Sequence, residues 1–199
     1  MKKLIAVLFT VMAVCLVSAS AFALTTVSQS ANVSVAALLS VEFASATDTT
    51  FGSGTVPWTS VVADSAFIYP TGHVTTKPDA GVICKSNGAA TWYIKLGFSS
   101  ANGLNGKISR YISGLGASNT GGVTNRNTGA VTPNGAIATP DAWTVIPTTA
   151  TTVYSSGAND TNNAPDGDGV WINYNLNPTG LVTGTAYTGT LTYTIATTP

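Results

Sequence analysis

Few residues in this chain carry side chains able to do chemistry, and their spacing limits what that chemistry is. The sequence holds one histidine, His73, inside the turn-rich stretch "YPTGHVTTKPDAG" (69–81). A lone imidazole in a turn offers no evident base for a Ser–His or Cys–His arrangement. Glu42 is the only glutamate, whereas glycoside hydrolysis takes two suitably placed carboxylates. No G-x-S-x-G elbow is present, and "GLNGK" (103–107) is too short for a phosphate loop. The expectation is a non-catalytic protein.

One stretch gathers hard oxygen donors, "NDTNNAPDGDG" (159–169). Asp160, Asn162, Asp166 and Asp168 have the chemistry of Ca²⁺ ligands, but the spacing is not that of an EF-hand loop and no glutamate follows at position twelve. The simpler reading is an Asn/Asp/Gly turn ahead of a strand. Calcium is the second reading, and no other cofactor is expected. Cys84 in "VICKSN" shares parity with Val82 and reads as a small buried residue. The sharper alternative is an intermolecular disulfide. Trp58, Trp92 and Trp143 read as core. Trp171 stands opposite the apolar face of its segment, beside Asn173 and Asn175. That makes it the candidate surface aromatic, set to stack on a sugar ring or to pack under a loop or neighbouring subunit.

The elements around these residues begin with a leader. "MKKLIAVLFTVMAVCLVSASAFA" has two lysines, an apolar run from Leu4 to Val17 and a small-x-small site at Ala21-Phe22-Ala23. It reads as a Sec signal peptide over 1–23, too short and wrongly flanked for a membrane anchor. Removing 23 of the 199 residues leaves 176, enough for one domain with a real core, and no membrane span. Six cations then face eight acids, a net charge of −2. So sparse a charge gives no grip on nucleic acid or anionic lipid. It suits a secreted protein packed into a wall or fibre. Cys15 leaves with the leader, so Cys84 has no internal partner.

Period two dominates the rest of the chain. In "NVSVAALLSVEF" (32–43), Val33, Val35, Ala37, Leu39, Val41 and Phe43 share one parity. Trp92, Ile94, Leu96 and Phe98 do the same, as do Val170, Ile172, Tyr174 and Leu176. In the closing stretch Tyr187, Leu191, Tyr193 and Ile195 oppose Thr188, Thr190, Thr192 and Thr194. Such alternation marks strands with one face buried and one wet. Shorter strands fit near 58–63, 81–86, 108–112, 142–147 and 150–155. Gly/Pro/Asn/Asp-rich connections point to antiparallel turns, and 113–141 reads as long loops. The expected fold is all-β over 24–199: a two-sheet antiparallel sandwich, Ig-like or pilin-like, with long Gly/Ser/Thr/Asn-rich loops.

The closing "YTGTLTYTIATTP" (187–199) resembles the C-terminal signature of WxL-type bacterial surface domains, with Tyr187, Leu191, Thr192, Tyr193, Thr194, Ile195 and Pro199 at the signature positions. Tyr193 stands where that family has tryptophan. "SNGAATWYIKL" (86–96) is similar to the family's first motif through Trp92 and Ile94, and Phe51-Gly52 and "GDGVW" (167–171) match its layout. The resemblance implies a β-rich cell-surface protein attached to peptidoglycan. Secreted donor-strand pilin subunits are a looser likeness, through Gly184, Tyr187, Gly189 and Leu191.

Two functions are expected from different classes. The first is a structural subunit of an extracellular filament or surface layer. Residues 24–35, with Val27, Val33 and Val35 on one face, are extended, uncharged and free of proline, and can pair with an open sheet edge of another copy. The second is a WxL-type module binding the cell wall or another carbohydrate. The expected partners are copies of itself, other surface proteins or a wall polysaccharide, and the expected place is the extracellular face of a bacterium.

Overall fold

The alternation becomes ten strands, and no helical residue occurs among those described. The computed structural model describes residues 39–59, 67–86, 91–114, 122–125, 135–156, 167–182 and 184–199. In chain order the first strands are β1 (Leu39–Phe43), β2 (Ala80–Ser86), β3 (Tyr93–Ser99), β4 (Ile108–Tyr111) and β5 (Gly122–Asn125). Then come β6 (Ala136–Ile137), β7 (Thr144–Val145), β8 (Thr151–Ser155), β9 (Asp168–Leu176) and β10 (Thr190–Ala196). Every pairing is antiparallel. One sheet runs β1-β2-β9-β4-β7 with β5 also on β9; the other runs β10-β3-β8-β6. The expected two-sheet sandwich is therefore present. No helix among the described residues is long and apolar enough to cross a membrane.

The interior follows the predicted parities except in β1, where Leu39 and Phe43 are exposed and only Val41 packs against the core. Trp92, Ile94, Leu96 and Phe98 from the second sheet meet Val82, Cys84, Val170, Ile172, Tyr174 and Leu176 from the first in one cluster. Full burial of each large apolar side chain is worth about 1.5–3 kcal/mol. Val153 and Tyr154, neighbours in sequence, both turn inward, because the ladder slips between Ile94 and Lys95 and skips Val153. A bulge of that kind breaks the strict alternation. Cys84 is fully buried, which leaves an intermolecular disulfide no accessible thiol.

β9 departs from expectation. Its second parity, Trp171, Asn173 and Asn175, is the one expected to face water, yet all nine residues are buried. The strand lies inside its sheet, with β2 on one side and β5 then β4 on the other. Its outer face is covered as well.

Trp171 is only 6% exposed, so it is not a surface aromatic. Two glycines explain its position. Gly81 is its cross-strand partner and Gly169 precedes it by two on the same face. A Cβ at either would come within 2.4 Å and 2.3 Å of the indole carbons. The ring therefore lies flat on the sheet where no side chain stands, and packs with Ile83 and Ala44.

Trp143, expected in the core, is 40% exposed. Trp58 is half-buried against the core, its Nε1–H donating to the Ile68 carbonyl at 3.2 Å. The stretch 113–141 is not all loop, since it contains β5 and β6. Of the strand expected near 58–63, residues 58 and 59 are unpaired in any sheet and the rest lie outside the described residues. The same holds for 1–38, which take in the leader and the segment 24–35.

A methyl at Gly81 has no room beneath the indole. Gly81→Ala is expected to cost about 1–3 kcal/mol in urea unfolding, the usual penalty of overpacking. In a Trp171→Leu background the same change should cost much less, a coupling that a double-mutant cycle reads directly.

Candidate functional site

The two sheets do not close against each other at one side. Between them lies an apolar groove of about 930 Å³, reached past β10 and the chain leading into it. Ala80, Ile108 and Leu176 line it from the first sheet, and Phe98, Leu191 and Tyr193 from the second. Phe43, half exposed at 50%, and Val182, 65% exposed, also line it. Phe43 meets Tyr193 edge-on at 5.6 Å, so the end of β1 touches β10 across the gap.

β10 carries the predicted alternation: Leu191, Tyr193 and Ile195 are half-buried, while Thr190, Thr192 and Thr194 are exposed. It pairs with β3 on one side and with no strand on the other among the described residues. Tyr187, expected in the same strand, lies outside it. The side chain of Asn102 explains this by bonding the backbone on both sides of Tyr187: Nδ2 donates to the Ala186 carbonyl at 2.9 Å, and Oδ1 accepts from the Thr188 N–H at 3.2 Å. Ser100 Oγ adds a bond to the Thr188 carbonyl at 2.7 Å. A side-chain amide from the β3–β4 connection thus replaces a strand partner. Tyr187 instead turns its hydroxyl to accept the Val182 N–H at 2.9 Å and lines the groove. Gly189 then lets the chain pass under Phe98, where a Cβ would come within 2.2 Å of the ring.

A polar cluster lies between the sheets beside the groove. The hydroxyls of Tyr174 on β9 and Tyr193 on β10 are hydrogen-bonded, joining the two sheets. Asp79 stands at the start of β2, its side chain fully buried. One carboxylate oxygen meets His73 Nδ1 at 2.6 Å, and the other accepts the Tyr174 N–H at 2.8 Å. The Asp79 N–H donates to Asn173 Oδ1 at 3.1 Å. β2 stops pairing with β9 at Ala80, and the carboxylate takes over the next N–H of β9 that faces this side. Burial pushes the Asp79 carboxyl up to about 6, with His73 opposing the rise. Burial of the hydroxyl, and then the charge of Asp79, push Tyr193 well above the ordinary phenol range, so it keeps its proton.

Sequence reasoning misses the His73–Asp79 pair. Its only trace there is a histidine and an aspartate six apart in a stretch dense with turn residues. Pro70, Thr71, Gly72 and His73 form the turn that brings them together: the His73 N–H donates to the Pro70 carbonyl at 3.0 Å, and Gly72 has φ 88°. A positive φ at the third position is what a type II turn demands.

The other expected site residues divide between the groove wall, the core and the undescribed segments. Leu191, Tyr193 and Ile195 share the inner face of β10, and Leu191, Tyr193 and Tyr187 border the groove. Val27, Val33 and Val35 lie outside the described residues, as do Asp160, Asn162 and Asp166 of the candidate Ca²⁺ loop. Asp168 belongs to β9, with its side chain buried, rather than to an exposed turn. Among the described residues no three His, Cys, Asp or Glu side chains gather as a metal site. Comparison with protein-family models, curated proteins and solved structures yields no match.

Asp79 predicts a pH dependence of definite sign. The unfolded chain releases this proton near 3.8 and the folded chain near 6. The group's contribution is therefore whole below pH 4 and falls as pH rises to about 6, because the folded state binds the extra proton. Asp79→Asn should remove that slope. Its melting temperature, measured from pH 4 to 6.5, should fall less steeply than that of the parent protein.

Proposed function

We propose that this chain is a secreted, non-catalytic structural protein of the bacterial cell surface, a subunit of an extracellular filament or surface layer assembled by β-strand donation. Residues 24–35 of one copy lie along β10 of the next and fill its groove. One observation carries this reading: an apolar groove of about 930 Å³ opens beside β10, which among the described residues is an edge strand and has no charge in its sequence TLTYTIA. Edges of that kind are normally blunted by charge, proline or a covering element.

Strand addition supplies what such a site lacks. Main-chain hydrogen bonds satisfy the edge, and alternate side chains enter the groove. Val27, Val33 and Val35 share a parity, so all three face inward together. Twelve extended residues span about 40 Å, against about 23 Å for the seven of β10, so the segment covers the strand with length to spare. A head-to-tail contact does not close on itself and so propagates as a filament. The sparse charge suits a subunit whose surface is largely packed against copies of itself or other surface proteins.

A second reading, a WxL-type module binding the cell wall or another carbohydrate, is favoured by a separate observation. Tyr69 and Trp143 stand exposed together on the outer face of the first sheet.

The mature protein is expected to form filaments in negative stain and to run as denaturant-resistant ladders. A form lacking residues 24–35 should stay monomeric with an unchanged melting temperature. Val182→Asp, at an exposed position on the groove, should also block assembly without unfolding the subunit. A full-length mature protein that stays monomeric, or a truncated one that polymerises, overturns the reading.

A further inference from the structure

Four rings meet on the outer face of the first sheet. Trp143 lies 5.8 Å from Tyr69 at 63° and 5.5 Å from Tyr111 at 45°. Tyr69, 51% exposed, is stacked on His73 at 4.3 Å and 13°. The walls are angled rather than flat, and they border a cleft of about 240 Å³ that Asn173, Thr75 and Lys77 also line. Tyr111 and Asn173 are cross-strand partners of the parity opposite to the core, so this cleft lies on the other side of the sheet from the groove.

Each wall is held from behind. His73, under Tyr69, is fixed through Nδ1 to the buried Asp79. The Tyr111 hydroxyl donates to Asp141 Oδ1 at 3.3 Å, and that oxygen also accepts the Gly114 N–H at 2.9 Å. The loop that carries Trp143 is anchored by the buried Arg110, whose Nη2 donates to the Ala138 carbonyl at 2.8 Å. Thr139 and Asp141 in this loop have φ of 54° and 57°. A β-branched residue seldom takes that conformation, and held strain of this kind clusters where a surface is pre-shaped.

Aromatic walls around a few polar atoms fit a ring with an apolar face and a polar rim. A nucleotide would bring phosphate, for which the cleft offers one lysine, Lys77, and no arginine. A pyranose with all its hydroxyls equatorial has C–H groups on its faces, hydroxyls round its edge and no charge. The cleft is smaller than the roughly 300–1,000 Å³ of a site that encloses a drug-sized ligand, so it takes one sugar ring at a time. We propose that this cleft binds a neutral glucose-type pyranose unit of an oligosaccharide, with Tyr69 and Trp143 as an angled platform against one ring face and Thr75 and Lys77 at its hydroxyl edge. The assignment deepens the carbohydrate-binding reading and is independent of strand donation.

The test is calorimetric titration of the mature protein with cellotetraose, followed in parallel by tryptophan fluorescence. Saturable binding with a dissociation constant of about 1 mM is expected, the range of a single shallow contact. β-1,4-Galactotetraose, whose axial C4–O bonds bend the chain away from the flat, all-equatorial form, should bind at least about tenfold more weakly, a difference of about 1.4 kcal/mol. Trp143→Ala and Tyr69→Ala should each lose about tenfold in affinity or more, by the same scale. Both rings are exposed, so these variants keep the parent's melting temperature, and Val182→Asp binds sugar as the parent does. Filament formation is scored separately, so loss of one activity leaves the other standing. Absence of heat and fluorescence change with cellotetraose, equal binding of both sugars, or undiminished binding by both alanine variants overturns the assignment. So does ring-dependent self-association without sugar binding.

Discussion

A nine-residue strand buried along its whole length imposes conditions that the rest of this protein meets. Every N–H and C=O of β9 needs a partner, and both of its faces need a cover. On the inner face Val170, Ile172, Tyr174 and Leu176 meet the second sheet. On the edges, β2, β5 and β4 supply ladders over different lengths of the strand. Where β2 ends, the Asp79 carboxylate accepts the Tyr174 N–H. That substitution places a carboxylate in the interior and ties a surface turn to the central strand through His73.

The outer face of β9 is covered by two different devices. At one end glycines vacate the sheet surface so that the Trp171 indole can lie on it. Further along, Asn173 accepts a hydrogen bond from the Asp79 backbone and lines the aromatic cleft. The first device closes the surface and the second leaves it open. Apolar area in the closed part stabilises the fold. The rings of Tyr69 and Trp143 are held in place by hydrogen bonds and stacking behind them and remain exposed.

The groove lies on the opposite side of the same sheet, and its wall includes the edge strand β10. The Tyr174–Tyr193 hydroxyl bond joins the sheets beside it, with Asp79 near enough to bear on Tyr193. The buried Asp79 carboxylate therefore stands between the apolar groove and the ring-lined cleft. Its hydrogen bonds reach β9 directly and His73 at the wall of the cleft.

Local pattern alone determined the all-β class, the antiparallel turns and the parity of nearly every long strand, because alternation is written residue by residue and needs no knowledge of neighbours. β3 and β10 read correctly for that reason. Parity separates the two faces of a strand, but what lies over each face is a property of the assembled sheets. Trp171 and Trp143 were exchanged on this account: the glycines that bury the first sit on β2 and β9, and the loop that lifts the second is held by an arginine on β4. Tyr187 left its strand because the amide of Asn102, 85 positions away, bonds the chain on both sides of it. The His73–Asp79 pair was hidden within a run of turn residues, since only the folded turn makes six residues into 2.6 Å. Tertiary structure decided the sites because each is built from residues whose nearness comes from sheet order, which no local signal carries.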